Sequence, residues 1–370
     1  MAQRLEKIHI EGYKSIKEMD LEIKNLNVLI GANGAGKSNF ISIFKFLRNV
    51  VEQRLQYYVR YTSANRILHY GSQETSHMSI SLDFSPNFYE VSFAPSLDDG
   101  LFIEKEQIAF WSKNYGKPLW TRLATAQIES EIQKASSEFP IAEYVYNFLN
   151  SWRVYHFHDT SDTALVKKKN KINDNLFLRE DAANLAPFLY RMKAESPKYY
   201  ERIVKTIQLV VPLFKDFLLR PDPFNDEMVQ LEWVSKKTDY IFSGSDLSDG
   251  SLRFICLATM LLQPKRPDLI LLDEPELGLH PSAITILASL IRKVSHDSQL
   301  IVATQSTELM SLFDAEHIIV VENKDGISQY KRLDKEQLSY WLEEYSSEGP
   351  MAKKYTLGEI WNKNLIGGQP

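Results

Sequence analysis

The sequence has a single cysteine, Cys256, among 370 residues. One thiol cannot form an internal disulfide framework, so a reducing compartment is expected, and its place in an apolar run reads as a small buried hydrophobe. Long hydrophobic runs are also missing. Ile255 to Leu262 is the longest near the middle; it is too short to span a bilayer and carries Thr259. The segment Met1 to Lys7 has no apolar core of the kind a secretory signal needs. These absences point to a cytoplasmic protein with no membrane partner. A basic excess is lacking too: the formal net charge is −5. That argues against a surface made for tight, nonspecific nucleic-acid binding, though it leaves room for a local basic groove. No internal repeat, low-complexity tract or long heptad run occurs, which excludes solenoids and a coiled-coil arm.

What is present is an ordinary globular composition, 44% hydrophobic and 25% charged. Within it stands Gly31-Ala32-Asn33-Gly34-Ala35-Gly36-Lys37-Ser38. This fits the phosphate-binding loop G-x-x-x-x-G-K-[ST]. Leu26 to Ile30 before it reads as a buried strand, and Asn39 to Leu47 after it carries apolar residues at helical spacing. Strand, glycine loop and helix aim backbone N–H groups and the positive end of a helix dipole at phosphates. Lys37 would meet the β- and γ-phosphates, and the Ser38 hydroxyl would hold Mg²⁺.

Around this loop the chain alternates between element types. Residues 4–30 read as two strands joined at Gly12-Tyr13-Lys14-Ser15. A helical pattern rich in Tyr and Arg runs to about Arg60. Met78–Phe84, Tyr89–Phe93 and Leu101–Ile103 alternate as antiparallel strands separated by turn residues. Residues 121–151 and 182–219 read as helical, with a strand at Trp152–Phe157. Lys167-Lys168-Lys169-Asn170-Lys171 is the one strong basic cluster, read as either a solvated loop or a binding surface. Leu231–Val234 and Asp239–Phe242 read as paired strands. Further on come a helix at 281–294, a strand at Gln299–Thr304, a helix at 306–313 and a strand at His317–Glu322. A hairpin strand at Ser328–Lys331, a helix near 335–346 and the segment Leu357–Trp361 follow.

Three more motifs stand in order after the P-loop. Leu247-Ser248-Asp249-Gly250-Ser251 opens a helix, and such a turn can be a plain N-cap. Pro267 to Pro275 reads as an apolar strand that delivers Asp273 and Glu274 at its C-terminal end, where parallel sheets place ligands. Glu276-Leu277-Gly278-Leu279-His280-Pro281 follows it. Ala303-Thr304-Gln305-Ser306 ends another strand.

With these four motifs the chain resembles the ABC-type ATPases, in particular the RecF/SMC/OLD-like branch and its compact stand-alone predicted ATPases. Leu247 to Ser251 looks like the LSGGQ signature, with Asp249 where a glycine is usual. Asp273 and Glu274 look like the Walker B aspartate and the catalytic glutamate. Glu276 to Pro281 looks like the D-loop region of the RecF/OLD-like groups, and Gln305 stands where the switch histidine usually sits. Trp152 to Thr160, Trp341 to Tyr345 and Gly358 to Pro370 extend the likeness. No match to the Q-loop is clean; His158 and Asp159 are the first candidates and Gln73 the second.

The resemblance implies an α/β fold over residues 1–370. It would be an ABC-ATPase head with a mixed P-loop sheet, an antiparallel β subdomain and a helical lobe inserted between Walker A and the signature. Lobe I is expected at about 1–110 and 265–370, and the helical lobe at about 111–264. It implies ATP and Mg²⁺ as cofactors. Asn33, Gly34, Ala35, Gly36, Lys37, Ser38 and Asn39 would cradle phosphate. Ser38 and Asp273 would hold the metal, and Glu274 and Gln305 would act on the attacking water. Ser248 and Gly250 would serve an ATP bound by a second protomer. One P-loop and one signature per chain then imply a homodimer around ATP, or assembly with a similar ATPase. DNA, or a separately encoded effector such as a nuclease, would be the further partner. A sensor or scaffold ATPase that never touches nucleic acid is the other reading.

Overall fold

The computed structural model describes residues 4–111, 116–333, 357–363 and 366–367. Two compact units divide the chain. The first comprises Met1–Trp152, Asp268–Leu271 and Gln299–Pro370; the second comprises Arg153–Pro267 and Leu272–Ser298.

The first unit contains the P-loop strand, Leu26–Ile30, with every residue buried. Buried on both faces, it reads as a continuous apolar run. Gln299–Thr304 pairs with it in parallel on one side and Ile318–Lys324 on the other. The sheet runs outward from Ile318–Lys324 to the antiparallel strand Ile327–Arg332. On the other side Leu269–Asp273 lies next to Gln299–Thr304. The helix Lys37–Val51 follows the loop and buries Phe40, Ile41, Ile43, Phe44, Phe46 and Leu47 among its residues. A six-stranded antiparallel sheet completes this unit, in the order Ile16–Glu22, Lys7–Tyr13, Met78–Asp83, Asn87–Pro95, Leu101–Phe110, Leu119–Gln127. It is the meander expected from alternation, and Ile8, Ile10, Ile80, Leu82, Val91 and Phe93 bury one face.

The second unit is built on the helices Leu185–Glu195, Pro197–Val210, Asp249–Leu262 and Pro281–Val294. In Asp249–Leu262 every residue from Leu252 to Leu262 is buried, as for a helix packed on several sides. Cys256 lies there; burial pushes its thiol up to about 12, which makes it the inert buried hydrophobe its surroundings suggest. Glu232–Ser235 and Ile241–Ser243 pair antiparallel, with Trp233 opposite Phe242.

Several element expectations need correction. Helix from 121 is a strand over Leu119–Gln127, an edge strand whose side chains are mostly exposed and so show no period of two. The helix expected to reach Arg60 breaks after Val51: Gln53 adopts φ 56 and a second helix, Leu55–Thr62, begins. The stretch 182–219 is interrupted at Ser196-Pro197 and ends in the strand Phe214–Phe217. The helix of 306–313 is a short turn, Thr307–Met310. The helix near 335–346 and Trp341–Tyr345 lie outside the described residues.

Candidate nucleotide-binding site

Each part of the candidate site follows from its own stretch of chain. In the first unit the loop closes at Gly36, with φ 121 and ψ 3, a conformation open to glycine alone without strain. A Cβ there would also overlap the Ser328 Oγ. The Lys37 side chain is 5% exposed. Its ammonium turns back onto the loop and donates to the carbonyls of Gly31 (2.6 Å) and Ala32 (2.9 Å). A buried cation so held is preorganised for an anion placed in the loop. Ser38 is exposed at the second position of the helix, in its first turn.

A second layer holds the loop from beneath. The Ser328 Oγ donates to the Ala35 carbonyl (2.7 Å) and lies 2.7 Å from the Ser15 Oγ. The Tyr330 hydroxyl donates to the Gly36 carbonyl (2.9 Å), and the Asn39 amide donates to the Ser15 Oγ (2.6 Å). Burial pushes the Tyr330 phenol up, so it remains a donor at any physiological pH. Sequence reasoning does not reach Ser15, Ser328 and Tyr330. Ser15 is visible there only as a turn residue, and the other two carry no motif. At the loop's outer end the Gln305 amide donates to the Asn33 Oδ1 (2.6 Å). Gln305 leaves its strand at Thr304, whose hydroxyl accepts from the Ser306 N–H and turns the chain.

In the second unit Ser248 caps the helix Asp249–Leu262, its hydroxyl accepting from the Ser251 N–H (3.2 Å). Ser248 and Asp249 are exposed and Gly250 is partly so. A Cβ on Gly250 would overlap the Gly278 carbonyl, so the close approach of the Glu276–Pro281 loop requires glycine here. Glu274 follows the strand-ending Asp273 and adopts φ 44, a left-handed conformation that costs a non-glycine residue about 1–2 kcal/mol. Strain of this kind collects at functional sites.

Arg253 is the residue of this unit that the motifs do not single out. It is 7% exposed, and burial lowers its pKa. Its guanidinium donates to the carbonyls of Phe157 (2.8 Å), His158 (3.3 Å) and Leu277. One planar cation thus ties three segments together. A narrow cleft lined by Tyr155, Phe157, His158, Arg253, Asp273 and Glu274 results. Of the Q-loop candidates, His158 is exposed and reaches Arg253 through its carbonyl, while Asp159 is turned onto Ser161. Gln73 is an exposed residue of the first unit.

The basic cluster is largely engaged within its own unit. Lys167 is 5% exposed, Lys168 donates to the Asp162 carbonyl (2.7 Å) and Lys169 pairs with Asp222. Among the described residues, no group of three or more His, Cys, Asp or Glu could hold a metal ion, and no helix is long and apolar enough to cross a membrane.

The family model described as "AAA domain, putative AbiEii toxin, Type IV TA system" matches residues 26–311. Structural maintenance of chromosomes protein 3 of Arabidopsis thaliana is 34% identical over 107 residues, 28% of this chain and 8% of that protein. A putative ABC transporter ATP-binding protein of Methanosarcina acetivorans is 31% identical over 98 residues, 26% of this chain and 33% of that one. The chain therefore spans only a minor part of these relatives. Among solved structures, an Smc head bound to the C-winged helix domain of ScpA superposes with a TM-score of 0.59 at 18% identity, covering 91% of this chain and 99% of that one. The Pyrococcus furiosus Smc head with an extended coiled coil gives 0.50 at 17% identity, covering 92% and 98%. The fold is that of the Smc heads: α/β, with a mixed P-loop sheet beside an antiparallel one.

Proposed function

The chain belongs to the AAA-domain family described as putative AbiEii toxin, Type IV TA system, and we propose that it is an ATPase that dimerises around ATP. The observation that carries the nucleotide-binding part of this reading is the closed loop at Gly36, with the buried Lys37 ammonium held on the Gly31 and Ala32 carbonyls; the dimer rests on one P-loop and one signature per chain. Phosphoryl transfer asks for charge neutralisation and an aligned water more than for covalent help. Lys37 and the N–H groups from Asn33 to Asn39 neutralise the phosphates. The Ser38 hydroxyl and the Asp273 carboxylate, oxygen donors of the type Mg²⁺ takes, would hold that ion, which would supply charge neutralisation to the phosphates. Glu274 accepts the proton of the attacking water as its oxygen bonds to the γ-phosphorus and the bond to the bridging oxygen breaks. Gln305 cannot change charge; it orients that water by hydrogen bonding. Ser248 and the Gly250 N–H serve the ATP of a second protomer.

The family description, which names a putative AbiEii toxin of a Type IV TA system, favours a role in genome defence; DNA maintenance, and a separately encoded effector such as a nuclease, belong to the same reading. The net charge of −5 favours the second reading, a sensor or scaffold ATPase regulating a protein without nucleic acid. The test of the shared core is mass measured with and without ATP. Glu274→Gln should remain a dimer in ATP and Lys37→Ala a monomer that binds no nucleotide. A Glu274→Gln protein that is monomeric in saturating ATP sinks the sandwich, and unchanged ATP affinity in Lys37→Ala sinks the loop assignment.

A further inference from the structure

Between Lys45 and Tyr70 the chain carries five cations, Lys45, Arg48, Arg54, Arg60 and Arg66, against the single carboxylate Glu52. This is a strongly basic stretch in an acidic protein, and the nucleotide site makes no use of it. The helix Leu55–Thr62 buries Leu55 and Val59. At 100° per residue, Arg54, Tyr61, Tyr57 and Arg60 fall on an arc of about 120° of the other face. Tyr57 is 61% exposed and Tyr61 75% exposed. Their rings lie 4.9 Å apart, one turn from each other. Arg66 and Tyr70, both exposed, continue the chain beyond the helix.

The carboxylates that touch this segment are already engaged. Glu52 pairs with Arg48 (2.9 Å) and Arg54 (3.3 Å). Glu129 accepts from the Leu55 and Gln56 N–H groups and caps the helix. Asp99 accepts from the Asn65 N–H and side-chain amide. Among the described residues Arg60 and Arg66 have no ion-pair partner. Exposed aromatic rings interleaved with uncommitted guanidiniums are what a polyanion with flat, stackable faces requires.

We propose that the Arg54–Tyr57–Arg60–Tyr61 face, continued by Arg66, binds a single strand of nucleic acid. Bases stack on Tyr57 and Tyr61, and phosphates lie against Arg60 and Arg66. A duplex hides its base faces and would leave the two tyrosines unused, so a single strand is the better complement. DNA and RNA share this chemistry. The proposal rests on the nucleic-acid arm of the reading above and not on ATP hydrolysis.

The experiment titrates fluorescent 20-nucleotide DNA and RNA strands, a DNA duplex and anionic vesicles against the full chain at several salt concentrations. One of the two single strands should bind more tightly than the duplex. Tyr57→Ala with Tyr61→Ala should weaken that binding at least tenfold, and Tyr57→Phe with Tyr61→Phe should restore it. Arg60→Ala with Arg66→Ala should reduce the slope of log K against log salt by about 1.4, the share of two phosphates on a single strand. All these variants should keep the wild-type basal ATPase rate, which separates failure here from failure of the ATPase reading. No binding of either strand, preference for duplex, capture of vesicles instead, or wild-type affinity in both sets of variants overturns the proposal.

Discussion

Two glycines of one loop, taken singly, carry different constraints. Gly34 has φ 78, and a Cβ built on it meets nothing within 4 Å. Gly36 has φ 121, and a Cβ on it would run into Ser328 and the Tyr330 hydroxyl. Gly34→Ala should therefore cost only the backbone term, about 1–2 kcal/mol. Gly36→Ala adds overpacking against a buried neighbour and should cost about 2–4 kcal/mol. Urea unfolding of the two variants checks this, and equal losses would show that the Ser328 side chain simply gives way. The motif asks for glycine at Gly31 and Gly36 and leaves Gly34 open. What it leaves out is why Gly36 cannot be replaced here: the obstacle lies on a hairpin far downstream in the sequence.

That hairpin, as an element, explains what was legible and what was not. Leu26–Ile30, Pro281–Val294 and Gln299–Thr304 are found where the apolar pattern placed them, the two strands because burial on both faces leaves a continuous apolar run and the helix because its one buried face repeats at helical spacing. Leu119–Gln127 escapes the pattern because an edge strand held by pairing with Leu101–Phe110 has no buried face to display. Asn33, Lys37 and Ser38 are picked out by the loop motif, Asp273 and Glu274 by their place at the end of an apolar strand, and Gln305 only through the family resemblance. Arg253, Ser15, Ser328 and Tyr330 cannot, since their work is done by bonds to distant groups that no spacing encodes. Removing the hairpin's two donors together, Ser328→Ala with Tyr330→Phe, frees the Ala35 and Gly36 carbonyls. The expected cost is about 1–3 kcal/mol by urea unfolding, with weaker ATP binding by calorimetry. The ring of Tyr330 lies 5.6 Å from that of Phe40, a contact that Tyr330→Phe preserves. That single variant should therefore show the smaller part of both effects.

Across the fold, chain order and spatial order diverge. The P-loop strand Leu26–Ile30 is made early, yet both of its neighbours, Gln299–Thr304 and Ile318–Lys324, come from the last part of the chain. Neither compact unit is one continuous piece, for the first returns at Asp268–Leu271 and again from Gln299. The nucleotide loop is therefore the product of long-range pairing, with the late folding that such contacts bring. A fragment of residues 1–298 retains the entire P-loop motif, the signature, Asp273 and Glu274, but it deprives Leu26–Ile30 of both sheet partners and the loop of Ser328, Tyr330 and Gln305. It should bind no ATP and should unfold without a cooperative transition, followed by fluorescence and by circular dichroism against the full chain. ATP binding by that fragment would mean that the loop holds its shape from local sequence alone, and that the hairpin and its two donors are dispensable.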